Sequence, residues 1–379
     1  MLRVGIDASG LAAAKQLSGV KRYLFSLLKA LAEHAEAENV QLHLYFTYPP
    51  KPDNTTLATL QPSRWLRWRV APIARGWLRL GMGAAMHLDR LGVFHFPAPL
   101  MAGYCPVPSV VTIHDLAALS LPPEQTVKER RYLADALAAG KRAHHLIAVS
   151  QNAADEVRQH LGRTATVIPE GVDLSVFQPV AAEEVEALRA ELGLGRYVLC
   201  VGTLQQRKNQ VGLLRAFAQI QDQVPHTLVL AGGEGSSADA VRGYLAANPQ
   251  VRAKWLGYVA EAHLPTLYSG AEAFALPSLW EGFGLPLLEA MACGVPVLTS
   301  NLSSLAEVAG EAALLIDPHD DRAIAEGLLH LLTDSALRVR LQAAGAARAR
   351  QFSWQAAAQR TLAVYRQAAK PVARHFPAL

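Results

Sequence analysis

Short, nearly continuous apolar runs alternate along this chain with longer stretches in which apolar residues return every three or four positions. The first pattern predicts strands buried on both faces, and the second predicts helices that cover them. In the first half RVGIDAS, QLHLYFTY, GVFHFPA, SVVTIH, HLIAVS and TVIPEG read as strands. In the second half YVLCVGT, HTLVLAGG, AKWLGYV, AFALPS, PVLTS and AALLI repeat the scheme. Strands alternating with helices predict parallel sheets clothed by helices. At 379 residues the chain exceeds the usual size of one hydrophobic core, so two doubly wound, Rossmann-like α/β domains are expected. The change of domain is expected within EGVDLSVFQPVAAEE, where Pro179 precedes an acidic helix start, giving domains 1–175 and 176–354. Two such domains facing each other would bring both sets of strand C-terminal ends to one central cleft, where these sheets bind ligands.

The stretch PSLWEGFGLPLLEAMACGVPVLTS carries the strongest chemical signal. Pro277, Gly282 and Gly284 break regular structure after the strand AFALP, and Pro286 takes a favoured first-turn helix position. Strand, loop and helix in that order leave the N–H groups of Phe283, Gly284 and Leu285 near a helix N-terminus, which favours an anion. Glu281 lies in the loop, within reach of neutral hydroxyls beside that anion, and Glu289 lies about one turn inside the helix. An ordinary crossover with a surface glutamate at each end is the plain alternative. A glycosidase acid and nucleophile is another, but a hydrolase has no use for a phosphate cradle.

Other loops fall at strand ends in the same way. After RVGIDAS, Ser18-Gly19-Val20 leads into KRYLFSLLKALAEH, and Gly19 lets backbone approach a diphosphate unobstructed, a plain flexible loop being the alternative. His114-Asp115 follows VVTI; the histidine is either a reactive group at a sheet end or one bonded to a neighbouring loop carbonyl, and Asp115 suits a turn cap. Arg207-Lys208 stands after YVLCVGT at the start of NQVGLLRAFAQI. Cations there oppose their own helix dipole, which makes sense if they serve an anion.

The net charge of +4 is unevenly placed. Residues 1–179 hold 19 basic against 14 acidic residues, and residues 180–379 hold 17 against 18, so the first half is the candidate for an anionic acceptor or membrane surface. Its sharpest feature is RWLRWRVAPIARGWLR, with five arginines, three tryptophans and no acid between Arg64 and Arg79. Peripheral membrane contact through 64–79 is one reading. The other is a strand whose tryptophans pack inward, since WLRWRV alternates and Pro72 interrupts it. No nucleic-acid motif accompanies the charge. No apolar run approaches the roughly 20 residues of a membrane span and no signal peptide opens the sequence, so a cytoplasmic protein is expected, with any membrane contact peripheral at the inner face. Cys105, Cys200 and Cys293 are too dispersed for a disulfide framework or zinc cluster.

Neither an Asp-x-Asp pair nor a His/Asp/Glu cluster offers divalent-metal ligands, so no metal or other cofactor is expected. GMGAAM and AGGEGS each lack the third glycine of a dinucleotide fingerprint, and AGGEGS suits a turn at the cleft rim.

The Glu281–Glu289 spacing, a glutamate, seven residues and a glutamate, resembles the hallmark of the GT-B glycosyltransferases of retaining family 4. VGIDASG with SGVKRY, VVTIHDLAAL, VIPEGVD, VGTLQQRKN, LGYVAEAHLPTLYSGA and FSWQAAAQRTLAVY extend the resemblance over nearly the whole chain. It implies the GT-B fold with a last helix, from about 355 to 379, crossing back to the first domain. It also implies a nucleotide diphosphate sugar as donor, with Glu281 orienting sugar hydroxyls, Glu289 the ribose, Gly19 facing the phosphates and His114 near the transferred sugar. Relatives carry Gly-Arg, four residues, then Lys. This chain has Gly202-Thr203, keeps Lys208, and offers Arg207 as the replacement cation. Tyr258 and Val259 match the place where relatives hold the base through backbone groups. Glu170 stands where many relatives carry Asn. The resemblance to bacterial polysaccharide mannosyltransferases suggests GDP-mannose as donor, a UDP-sugar being the alternative, and a glycan or lipid-linked glycan as acceptor. A GT-B epimerase or phosphorylase, or a non-catalytic sugar-binding partner, would share the architecture. With cations and backbone N–H groups offsetting the leaving-group charge, turnover is expected to be unchanged in excess chelator. Strict dependence on added magnesium or manganese would contradict that charge balance.

Overall fold

The computed structural model describes residues 1–12, 19–51, 54–72, 74–116, 119 and 127–370. Ser18 and the end of the expected tail helix, 371–379, lie outside them. The chain forms two compact units, one from Met1 to Glu170 joined by the tail from Trp354, the other from Gly171 to Ser353. The division falls at the front of EGVDLSVFQPVAAEE. Beyond Pro179 the acidic helix start is Ala182–Leu192, with Glu183 and Glu184 in its first turn.

Among the described residues, the first unit has seven strands: β1 Leu2–Asp7, β2 Val40–Phe46, β3 Leu66–Val70, β4 Val93–Phe96, β5 Ser109–Ile113, β6 His145–Ala148 and β7 Thr166–Val167. Their order is β3-β2-β1-β4-β5-β6-β7, all parallel. Strands β2, β4 and β5 are buried along their whole length, as continuous apolar runs covered on both faces should be. Helix Val20–His34 buries Tyr23, Leu24, Leu27, Leu28 and Leu31, a stripe at helical spacing. The tail helix Trp354–Ala368 packs against it.

The stretch 64–79 resolves into edge strand β3 followed by a turn and one helical segment. Trp77 is buried and stacks on Tyr45, and Trp68 donates its indole N–H to Leu60 O at 2.9 Å while its ring meets Phe46. Arg69 pairs with Asp89. The inward-packing alternative therefore holds for these two tryptophans, while Arg64, Arg67, Arg75 and Arg79 face solvent.

The second unit contains β8 Tyr197–Val201, β9 Thr227–Ala231, β10 Ala253–Trp255, β11 Ala273–Leu276, β12 Val297–Ser300 and β13 Leu314–Ile316. Their order, β10-β9-β8-β11-β12-β13, again all parallel, reverses direction between β8 and β11. That reversal is the place where an open α/β sheet leaves a crevice beyond its strand ends. Both strands are wholly buried, so the loops that follow them start from fixed points. Cys200 lies on β8, and burial pushes its thiol up to about 12, which leaves it an inert core residue.

Candidate active site

Glu281 follows β11 in an irregular loop, and Arg207 and Lys208 follow β8 in a single 3-10 turn, Gln206–Lys208. The strand reversal brings the two loops together. Lys208 Nζ donates to Glu281 Oε1 at 2.6 Å, and Arg207 Nη1 donates to Glu281 Oε2 at 2.5 Å and to Trp280 O at 2.9 Å. Leu279 N–H closes the link by donating to Arg207 O at 2.7 Å. Glu281 and Lys208 are buried. Burial alone would raise the Glu281 carboxyl, but the charges of Arg207 and Lys208 and their hydrogen bonds outweigh it and hold it at about 2. The anion that these two cations meet among the described residues is the carboxylate of Glu281.

Three further side chains complete the loop, and sequence reasoning passed over them. Ser278 Oγ donates to Glu281 Oε1 at 3.0 Å, and Ser303 Oγ accepts the Glu281 N–H at 3.2 Å. Ser304 Oγ lies 2.7 Å from Glu281 O and 3.1 Å from Phe283 O. Because a trans peptide points its N–H opposite to its C=O, a carbonyl of Phe283 turned to Ser304 directs the N–H of Gly284 the other way. Gly284 has φ 105° and offers no side-chain cap to helix Leu285–Ala292. Among the described residues, the N–H groups of Phe283, Gly284 and Leu285 meet no acceptor. Ser278 and the Ser303-Ser304 pair resemble ordinary loop serines in the sequence, and only the fold puts them at Glu281.

Gly202 has φ 150°, and a Cβ there would lie 2.9 Å from Lys208 Cδ, so the glycine makes room for the lysine stem. Thr203 is half-buried, and its carbonyl accepts from Gln210 Nε2 at 3.1 Å. The AGG turn abuts the same loop, since a Cβ on Gly232 would lie 2.0 Å from Gly202 O. The glycine pair was its signal in the sequence. Gly232 N–H donates to Gly257 O at 2.7 Å, which ties in the loop bearing exposed Tyr258 and half-buried Val259. Trp255 adds a second tie, donating its indole N–H to Gly232 O at 2.9 Å.

Glu289 stands apart from Glu281. It lies on helix Leu285–Ala292, is buried, and accepts a hydrogen bond from Tyr268 OH at 2.9 Å. In the first unit, Gly19 has φ 51° and begins helix Val20–His34, with no atom of the described residues within 4 Å of its missing side chain. His114 follows β5, and its Nε2–H donates to Pro97 O at 2.9 Å. The loop-carbonyl partner weighed for this histidine is therefore present.

Residues 17–176 match the model of glycosyltransferase family 4, and residues 185–348 match that of glycosyl transferases group 1. The chain is 34% identical over 268 residues to the O-antigen chain mannosyltransferase B of Escherichia coli, covering 68% of this chain and 70% of that protein. It is also 34% identical over 288 residues to a D-inositol 3-phosphate glycosyltransferase of Xylanimonas cellulosilytica, covering 70% of this chain and 67% of that one. Its fold matches the crystal structure of Anabaena HepE in complex with UDP-glucose, with a TM-score of 0.77, 20% identity, and 97% and 100% of the two chains covered. This chain belongs to glycosyltransferase family 4, and its two Rossmann-like units are those of a GT-B enzyme. No helix among its described residues is long and apolar enough to cross a membrane.

Glu281 stabilises the fold as a carboxylate. Its contribution is complete above the ordinary value of 4.5 and is lost as pH falls through about 2. Glu281→Gln strands a buried cation, so the variant is expected to lose about 3–5 kcal/mol at neutral pH in denaturant melts. Its stability should also fall less steeply than that of the wild type below the ordinary carboxylate range. Parallel pH profiles for the two proteins would contradict this role.

Proposed function

We propose that this glycosyltransferase is a metal-independent, retaining mannosyltransferase that takes GDP-mannose and transfers mannose to a hydroxyl of a glycan or lipid-linked glycan. The observation that carries the donor assignment is the placing of two cations, Arg207 and Lys208, in one loop group with the N–H groups of Phe283, Gly284 and Leu285, which meet no acceptor among the described residues. A diphosphate is the ligand class that matches both, since it takes cations and helix N-terminal N–H groups together. The mannose assignment rests on the relation to the O-antigen mannosyltransferase. A UDP-sugar fits the same cradle, and the HepE complex with UDP-glucose supports that second reading of the donor.

In this reading the second unit binds the donor, and the first serves the acceptor side. Glu281 orients the sugar's hydroxyls, Glu289 holds the ribose, and backbone groups at Tyr258 and Val259 hold the base. Lys208 and Arg207, with Gly202 and Thr203 keeping their approach clear, neutralise the departing diphosphate. The glycosidic C–O bond to the donor phosphate breaks on the face where the acceptor oxygen attacks, and a donor phosphate oxygen takes the acceptor's proton. Gly19 serves the phosphates and His114 the reacting sugar. Peripheral contact with an anionic membrane through 64–79 is supported by the outward-facing Arg64, Arg67, Arg75 and Arg79.

Lys208→Ala is expected to lower kcat by about 10²–10³-fold, the usual cost of one lost charge-stabilising contact. Glu281→Gln should lower turnover far more than it weakens binding of the free nucleoside diphosphate, which lacks the sugar, whereas Glu289→Ala should weaken nucleotide binding itself. Steady-state kinetics with GDP-mannose and UDP-sugars, together with calorimetry of GDP and UDP, measure both. Equal effects of the two carboxylate changes on nucleotide affinity would overturn the division of roles.

A further inference from the structure

Tyr23 stands where two of the first unit's candidate residues meet. It lies in the first turn of helix Val20–His34, and its N–H donates to Gly19 O at 3.1 Å. Its ring meets the His114 ring edge-on, with centroids 4.7 Å apart and planes at 87°, a geometry that aromatic pairs prefer. One residue therefore ties the glycine that opens the helix to the histidine that follows β5.

The tail helix reaches Tyr23 at two separate points. Trp354, its first residue, packs its ring against that of Tyr23 at 6.0 Å. Tyr365, about three turns further along, reaches the other end of the side chain through the sheet. Its OH lies 2.7 Å from His95 Nδ1, His95 Nε2 lies 2.8 Å from Thr112 Oγ1, and Thr112 Oγ1 lies 3.1 Å from Tyr23 OH. All five of these residues are buried. A polar group left unpaired there is costly, so the links of the chain hold one another in place.

Seating the tail helix does not require this chain. Ala357, Ala358, Leu362 and Val364 already bury an apolar face, whereas each buried polar link must first repay its desolvation. What the chain adds is direction, since it ends at one hydroxyl and fixes the orientation of one ring.

We infer that Tyr23 is the positioning residue for His114 and that the tail helix sets it, Trp354 holding the Tyr23 ring and Tyr365 its hydroxyl through His95 and Thr112. The inference rests on the reading that gives His114 to the reacting sugar and Gly19 to the phosphates. In that reading Tyr23 sets the two relative to each other, and the returning helix shapes the reaction geometry without touching substrate.

Proton NMR of the histidine rings in the full chain, without substrate, tests the positioning, because the His114 ring shifts depend on how the Tyr23 ring faces it. The His114 signal is assigned by its loss in His114→Gln. Tyr365→Phe deletes one hydroxyl and keeps its ring, and it is expected to move the His114 signal. Tyr23→Phe, which cuts the last link, should move it in the same direction. The double variant should match either single one, since both changes cut one chain. His226 of the second unit should keep its signal, which reports an intact fold. If Tyr365→Phe does not fold, Thr112→Val cuts the chain in its middle and takes its place in the comparison. A His114 signal unmoved by cutting the chain, or displacements that add in the double variant, would overturn the inference. In turnover of GDP-mannose, Tyr365→Phe should lower kcat by about 10–10²-fold, the scale of a misplacement of up to about 1 Å, with KM for the donor unchanged. A raised KM with kcat intact would contradict a positioning role. The NMR needs no donor, so a failed donor assignment shows in the calorimetry and leaves that result untouched.

Discussion

Burying a carboxylate or an ammonium costs several kcal/mol per ion unless each finds a partner, and Glu281 and Lys208 are buried together at 2.6 Å. Their pairing constrains the rest of the second unit's site. It requires the loops after β8 and β11 to meet, which the strand order achieves by reversing between those two strands. It requires space at Gly202 for the lysine stem, and hydroxyls at Ser278 and Ser303 for the remaining polar groups of the glutamate. Arg207 adds a second cation on the other oxygen of Glu281. In the proposed reading, a diphosphate would compete with Glu281 for the cations and free the carboxylate for neutral hydroxyls.

The first unit handles charge differently. Its sheet end carries one carboxylate against one histidine, Glu170 and His114, with a neutral histidine behind them. The tail helix matters here because Tyr365 reaches His95 from a position 270 residues later in the chain. That contact gives the returning helix a role beyond covering apolar surface, since it ends a buried polar chain leading to Tyr23.

Much of this was legible in the sequence because parallel strands covered on both faces leave continuous apolar runs, and each run marks where a functional loop begins. The loops after YVLCV and AFAL were found in this way, and Lys208 and Glu281 with them. Their mutual pairing was not legible, because two residues 73 positions apart are joined only by the strand order. Cations at a helix start signal that an anion is near without saying whose. The tryptophans of 64–79 were ambiguous for a related reason. An amphipathic, arginine-rich stretch fits a membrane face or an edge strand equally well, and the indole of Trp77 is assigned by its stacking on Tyr45. Glu170 stood out as a departure from its relatives, but its chemistry depends on a histidine 56 residues earlier that only the fold brings to 3.4 Å.

The claim that Lys208 and the helix N-terminus at Gly284 form one diphosphate site is tested most directly by a crystal structure with a nucleoside diphosphate bound. The account predicts phosphate oxygens within about 2.7–3.2 Å of Lys208 Nζ and of at least one N–H among Phe283, Gly284 and Leu285, with the Lys208–Glu281 contact lengthened. A diphosphate bound away from Lys208, with its pairing to Glu281 unchanged, would contradict it.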